Sequence, residues 1–503
     1  MRAAVCALLL AGAAGAGPAA AGPAFLAEPG ALPAPHEYTG GWEHFVGGGV
    51  AVFDCDGDAR PDLFAAGGES PAALYRNRSA PGGALAFDPV PLAGDLTGVT
   101  GAYPLDLDSD GVMDLAVLRV GPNRLLRGLG DCAFEEATAA LGLDPGAAWT
   151  TAFTATWEPG APLPTLFFGN YVDRTNPDGP FEACDANLLF RGTAPRYAAP
   201  ERVEPGWCTL SALFSDWARQ GRPELRLSND RQYYVRGGHE QMFTLTPLAE
   251  RADWPKVSLW GMGIASRDIT GDGLPEVMMT SMGDQLLQIN TGTGFTAAPY
   301  AQGTYAQRPY LGDDGRPSTG WTPVFGDVDN DGRDDLFIAK GNVDQMPSNA
   351  SHDPDNLLMQ GADGRFTEAG AAAGVASTAR GRGAALVDLN ADGLLDLVVS
   401  NRRAPLMLSR NVTEGAGHWL EIVPRQSGVN PDAVGAWVEI RAGGRVRAQE
   451  ITVGGGHAGG VAGPVHFGLG AQTEAEVRVI WPGGAVGPWQ AVAADQRRVI
   501  TRP

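Results

Sequence analysis

No stretch of this chain approaches the roughly 18 consecutive apolar residues that a membrane-spanning helix needs. Basic residues are scarce. Lys and Arg number 37 against 58 Asp and Glu, which gives a net charge of −21 and an isoelectric point near 4.7. Nucleic acid is excluded as a partner, since binding it takes a basic patch. Helical periodicity is also lacking: no apolar pattern at i, i+3, i+4 persists beyond a turn or two. The His residues (His36, His44, His239, His352, His418, His457 and His466) never fall at HxxxH or HExxH spacing, so zinc hydrolysis has no support. Neither GxSxG nor a P-loop occurs, and no Rossmann fingerprint is found.

What the chain has instead is acidic loops. Asp327-Val328-Asp329-Asn330-Asp331-Gly332-Arg333-Asp334-Asp335-Leu336 sets carboxylates at loop positions 1, 3, 5 and 9, Gly at 6 and an apolar residue at 10. Ca²⁺ takes about six to eight oxygens, and short Asp side chains on alternate residues of a tight loop converge on one centre. Without a cation, carboxylates packed so closely repel one another. An EF-hand would need a bidentate Glu at position 12 and flanking helices. Position 12 is Ile338, and the flanks read as β-strands.

The loop recurs. Asp54, Asp56, Asp58 and Asp62 form one copy, with Ala59 where Gly is expected. Asp106, Asp108, Asp110, Gly111 and Asp114 form another. Later copies are Asp268, Thr270, Asp272, Gly273 and Glu276, then Asp388, Asn390, Asp392, Gly393 and Asp396. The expectation is about four or five bound Ca²⁺ ions. Two worn copies fill the gap between the second and third. Asp216, Gly221 and Glu224 keep positions 1, 6 and 9 but have Ala218 and Gln220 at 3 and 5. Thr154–Trp157 leading to Thr165–Gly169 keeps the strands and loses the acids. Seven units at intervals of roughly fifty to sixty residues, each with several short strands, predict an all-β, seven-bladed β-propeller over residues 46–416. The 70 Gly and 38 Pro suit its many turns.

The ends differ from the repeats. Met1-Arg2, an apolar run to Ala14 and the small residues Ala19-Ala20-Ala21 predict a secretory signal peptide over 1–21, which would remove Cys6. Residues 22–45 form a Pro/Gly/Ala-rich leader that could donate a strand to close the ring and remove its free edge. From 417 to 503 the acid loops stop. Trp419–Val423, Ala436–Arg441 and Val477–Trp481 alternate as strands, with turns at Gly454–His457 and Gly468–Gly470, giving a small C-terminal β-domain. Export leaves Cys55, Cys132, Cys184 and Cys208, an even set that suggests disulfides. Cys184 and Cys208 bracket a loop containing Pro195, Pro200 and Pro205, and Cys55 with Cys132 would follow by elimination, linking the first two blades. Asn77-Arg78-Ser79, Asn349-Ala350-Ser351 and Asn411-Val412-Thr413 match glycosylation acceptors.

The Asp-loop repeats resemble the FG-GAP/VCBS repeats of integrin-α-type propellers. The tail, with His466-Phe467-Gly468-Leu469-Gly470 and Trp481-Pro482-Gly483-Gly484, resembles the ASPIC/UnbV domain. In that order, the two together resemble the cartilage acidic protein 1 family and its bacterial relatives over nearly the whole mature chain. The resemblance implies an extracellular, Ca²⁺-binding propeller with roles in adhesion or matrix, and fewer than seven ions because two blades have lost their ligands.

Two functions compete. One is a secreted, periplasmic or cell-surface binding or scaffold protein, stiffened by Ca²⁺ and presenting loops to a protein or glycan. The Trp and Tyr residues could line a sugar-binding face, although at strand positions they serve more often as core. The other is a polysaccharide lyase or hydrolase with its site at the propeller channel. Asp230, Arg231, Tyr233 and Tyr234 with Lys340 are the polar residues to examine for it, against the alternative that they hydrogen-bond between blades. His466 reads as a packed or turn-capping residue.

Overall fold

A computed structural model describes residues 22–92, 94–230, 237–305, 319–344 and 352–503. The expected signal peptide, Arg231, Tyr233, Tyr234 and Asn349 lie outside the described residues.

The fold is all-β; among the described residues there is one short helical turn, at Gly370–Ala373, and a few 3₁₀ turns. Seven antiparallel four-stranded sheets follow one another along the chain. The first contains Val50–Phe53, Asp62–Ala65, Ala73–Asn77 and Phe87–Val90. The seventh takes Gly381–Val387, Asp396–Asn401 and Met407–Asn411 and is completed from the other end of the chain: Phe25–Ala27 pairs with Met407–Asn411, Phe25 opposite Asn411. The first strands of successive sheets are neighbours, and that of the seventh returns to that of the first.

Burial explains the residue types. Inner strands such as Thr150–Thr156, Thr165–Asn170 and Asp396–Asn401 are buried at every position, because neighbouring sheets cover both faces. They accordingly lack strict polar alternation. Outer strands such as Phe87–Val90 bury one residue, expose two and half-bury the last. Aromatic residues fill the gaps between sheets; Tyr103, Phe153, Phe168 and Phe190 form one continuous cluster. Each such ring contributes about 1.5–3 kcal/mol by leaving water.

A side-chain brace also joins neighbouring sheets. Asn77, at the end of its third strand, donates through Nδ2 to Pro61 O of its own sheet at 2.9 Å and to Leu389 O of the seventh sheet at 2.8 Å. Asn290 does the same to Pro275 O and Trp217 O, and Asn411 to Leu395 O and Val328 O. Gln360 reaches Ile269 O at 3.0 Å. In each case the distant acceptor is the carbonyl at position 2 of the preceding sheet's loop. This overturns the glycosylation reading of Asn77 and Asn411: both are buried, and their amides are spent on carbonyls.

The second sheet has Gly128 at the corresponding place and no carboxamide to offer. There the Cys132 N–H donates to Cys55 O at 3.0 Å, and a Cys55–Cys132 disulfide ties the same two sheets. Cys184 and Cys208 form the second disulfide. Both pairings match the sequence expectation.

The tail folds as two packed sheets. Val465–Gly470, His418–Arg425 and Gln496–Thr501 form one, with the last two strands parallel. Arg445–Glu450, Trp437–Ala442, Glu474–Ile480 and Gln490–Ala493 form the other. Leu420, Ile422, Val438, Ile440, Phe467, Val477, Val479 and Trp481 lie between them.

The glycines expected as a turn lie in the middle of the repeat sheets. Gly454–Gly460 do reverse the chain, but they do so between the first strands of the repeat sheets. Val453, Gly454, Gly456, Gly459 and Val461 bridge Ala155, Leu213, Ile264, Ala102 and Val52, which lie on five different first strands. His457 N–H donates to Thr322 Oγ1 on a sixth. The backbones approach so closely that a Cβ on Gly101 would stand 1.6 Å from Ala458 O. Gly101→Ala should therefore cost more than about 3 kcal/mol, measured by chemical denaturation. Asn411→Ala, which strands two buried carbonyls, should cost on the order of 2–4 kcal/mol in the same assay.

Candidate metal centres

Every acid loop joins the first strand of a sheet to the second and is built by the same bonds. The position-1 Asp caps the turn with both oxygens. Asp327 Oδ1 and Oδ2 accept Asp331 N–H and Gly332 N–H at 2.9 and 2.8 Å. Asp106 and Asp388 accept the same pair, from positions 5 and 6, and Asp54 and Asp268 accept from positions 4 and 6. Positions 4 and 6 are left-handed throughout, as in Asn330 (φ 56°) and Gly332 (φ 90°). Ala59 takes φ 66° without the freedom of Gly, so the departure at that position leaves the turn intact.

The position-9 acid begins the second strand and holds two others. Asp62 Oδ2 accepts Cys55 N–H of the loop at 2.8 Å, and Oδ1 accepts Asn77 N–H of the third strand at 2.8 Å. Asp114, Asp335 and Asp396 repeat both bonds; Glu276 accepts Ile269 N–H.

Positions 3 and 5 accept backbone N–H groups within the loop, and in three of the loops they also meet arginines. Arg76 reaches Asp56 at 3.3 Å, and Arg127 reaches Asp108 and Asp110 at 2.8 and 3.1 Å. Arg60 pairs with Asp58 and Arg333 with Asp331. Asp54, Asp56 and Asp58 bring one oxygen each within 4.8 Å of one another, as do Asp106, Asp108 and Asp114, and Asp327, Asp329 and Asp335. In the loops beginning at Asp268 and Asp388 no three acids meet so closely among the described residues, since Thr270 and Asn390 hold position 3.

The electrostatics favour a cation. Burial, reinforced by neighbouring carboxylates, pushes Asp62 and Asp114 up to about 7, Asp106 and Asp268 to about 6, Asp388 to about 7 and Glu276 to about 8. Asp331 rises to about 6, and Asp327, Asp335 and Asp396 rise well above the usual carboxylate range for the same reasons. Oxygens of Asp108, Glu276 and Asn390 are buried with no hydrogen-bond partner. A buried acceptor left unpaired is costly, and a hard cation satisfies several at once. The donor set therefore fits Ca²⁺.

The worn copy at Asp216 is the informative contrast. It keeps the cap to Gln220 and Gly221 N–H and the left-handed Arg219 and Gly221, yet lacks acids at 3 and 5. The loop shape is thus separable from the ligand set.

The tail docks on these loops, which sequence reasoning did not anticipate. Ala448 N–H donates to Asp268 Oδ2 at 3.0 Å, Gly470 N–H to Asn330 O at 2.7 Å, and His466 Nε2 meets Gly393 O at 3.1 Å. Glu450 accepts Ser215 Oγ–H and Asp216 N–H, while Arg219 reaches Glu439 at 2.6 Å. At the worn loop, then, an arginine and the tail's own acids supply the charge contacts. His466 is a packed residue, as expected.

Of the residues singled out for catalysis, Asp230 and Lys340 are described, and both are packed in the interior. Asp230 is buried and accepts the Tyr171 hydroxyl at 2.7 Å, and Lys340 is buried against Asp353 at 2.5 Å. The space between the first strands, where an active site was the alternative, holds the tail's glycines.

Comparison with known proteins gives the lineage. An FG-GAP-like repeat model matches residues 54–117, 268–338 and 327–399, and an ASPIC and UnbV model matches 426–503. Mouse cartilage acidic protein 1 is 29% identical over 190 residues, which cover 37% of this chain and 29% of that protein. The Xenopus tropicalis protein of the same name is 25% identical over 252 residues, covering 48% of this chain and 37% of its own. The match thus spans well under half the length of these relatives. A crystal structure of BBS1N in complex with ARL6DN covers 78% of this chain and 98% of its own at 10% identity, with a TM-score of 0.46. The chain is an FG-GAP-repeat protein with a C-terminal ASPIC/UnbV domain, homologous to the cartilage acidic proteins.

Proposed function

We propose that this protein is an exported, calcium-binding, seven-bladed β-propeller that acts as a binding or scaffold module. Ca²⁺ ions sit in the loops beginning at Asp54, Asp106, Asp268, Asp327 and Asp388. The ligands are Asp54, Asp56 and Asp58; Asp106, Asp108 and Asp110; Asp268, Thr270 and Asp272; Asp327, Asp329 and Asp331; and Asp388, Asn390 and Asp392; with Asp62, Asp114, Glu276, Asp335 and Asp396 closing each loop. The observation that carries this reading is the recurrence of buried, mutually repelling carboxylates in register at the same end of five of the seven sheets. The role of the ions is structural. They neutralise the face on which the tail is seated and leave the opposite face for a partner. The disulfides and the homologues' name support an extracellular site of action.

A metal that binds the folded state raises its stability by mass action. Added Ca²⁺ should raise the Tm of EDTA-treated protein by more than about 5 °C, with four or five ions per chain by mass spectrometry. No shift and no bound metal would end the calcium reading. The sign of the pH effect follows from the raised pKa values. Metal-free native protein holds protons that the unfolded chain releases near pH 4, so its stability falls as pH rises from about 4 to 8. Ca²⁺ binds the ionised form, so its stabilising effect should be largest at pH 8 and nearly absent at pH 5. A Tm of the EDTA-treated protein that rises over this range would contradict the account.

A further inference from the structure

At the sheet ends opposite the acid loops, a group of arginines gathers around one acid. Three guanidinium groups converge on one oxygen: Arg402, Arg403 and Arg380 place Nη1 at 2.9, 3.3 and 3.4 Å from Asp344 Oδ1. A fourth, Arg382, is fully buried beside them and donates to the carbonyls of Asn342 and Val343, the two residues before Asp344. Its remaining bonds also go to carbonyls, those of Phe45 and Gly381. The nearby acids are committed elsewhere: Glu43 pairs with Arg174 at 2.5 Å, and Glu69 accepts Gly41 N–H at 2.8 Å. Among the described residues, three cations thus share one aspartate and a fourth lies beside it, in a chain of net charge −21.

The arrangement is built rather than incidental. The Arg402 side chain is 0% exposed and is fixed by the carbonyls of His44, Gly40 and Gly41. Arg403 also holds Gly40 O at 2.9 Å, while 46% of its side chain faces solvent. Arg380 is 29% exposed and makes only the long bond to Asp344 among those resolved. The inner two arginines are therefore locked, and the outer two keep donors free to turn outward. The mutual repulsion of the four is relieved by a further anion.

Asp344 itself shows that a carboxylate oxygen fits the fork, and planar guanidinium groups match carboxylates in two-point contact. The chain leaving Gly41, whose carbonyl Arg402 holds, leads directly to Trp42. That indole is 40% exposed and is propped edge-on by Trp149 and Phe181 at 5.8 and 5.6 Å. An exposed, propped aromatic ring one residue along the chain from a carbonyl held by the guanidinium cluster offers a platform for a sugar ring, with the cluster as a clamp for its acid group. Glu43 and Glu69 nearby disfavour a polymer with dense sulfate or phosphate and suit one carboxylate per ring.

We infer that Arg380 and Arg403, backed by Arg382 and Arg402 and joined by Trp42, form a binding surface for a polysaccharide carrying uronate carboxylates. This rests on the reading of the protein as a binding module but not on its calcium sites, which the metal count tests separately. The experiment is isothermal titration of the full calcium-loaded chain with hexagalacturonate, with its methyl ester and with poly-glutamate, at low and high salt. The inference expects binding of the uronate, weakened by salt, with little binding of the neutral ester or the acidic peptide. Arg380→Ala with Arg403→Ala should weaken it roughly tenfold or more, and so should Trp42→Ala. Arg380→Gln with Arg403→Gln, which keeps side-chain volume, should weaken it likewise at unchanged Tm. No uronate binding, equal affinity in the arginine variants, or poly-glutamate bound as tightly as the uronate would each overturn it.

Discussion

The buried carboxylate at the start of each acid loop's second strand is the constraint on which the rest depends. In four of the five acid loops it accepts one amide from the loop and one from the third strand, so a single side chain fixes where the turn ends and where the third strand begins. A carboxylate in that place is held away from water among other carboxylates. Burial alone would protonate it, and protonation would weaken the acceptor that organises the sheet. A bound cation would resolve the conflict by keeping the acids ionised without leaving them exposed. The same interaction therefore shapes the strands, creates the demand for metal and sets the face on which the tail rests.

The joints between sheets show how one requirement is met by different chemistry. Asn77, Asn290, Gln360 and Asn411 each carry a carboxamide across to the preceding loop. Where Gly128 stands instead, the Cys55–Cys132 disulfide makes the crossing. At the worn third copy, Glu158 is held by Arg191 and by Thr246 of the next sheet. At the worn fourth, Arg219 leaves its own loop for the tail. Loss of ligands is accompanied in each case by a new ion pair nearby, which keeps the seam closed without a metal.

Much of this was legible in the sequence, because the acid loop is local. Six of its positions fall within ten residues, and alternate Asp with Gly has few other physical reasons to recur in register. The disulfide pairs were legible from an even count and one Pro-rich loop. The braces were not, since Asn77 and Asn411 sit in triplets that equally describe a glycan acceptor, and only burial separates the two meanings. The tail's docking was not legible either. Gly454–Gly460 reads as a turn from composition, and that it turns inside the ring depends on Gly49 and Gly101, hundreds of residues away, lacking a Cβ. The arginines at Asp344 all belong to the seventh sheet, whereas Asp344 follows the second strand of the sixth, so the sequence does not show the aspartate and its arginines together.

The central claim is that the acid loops are cation sites and that the worn loops are not. The direct measurement is anomalous diffraction from crystals grown in calcium. The account predicts difference peaks inside the loops beginning at Asp54, Asp106, Asp268, Asp327 and Asp388, and none in the loop at Asp216 despite its identical cap. Flat density in the five, or a peak of equal height at Asp216, would contradict it.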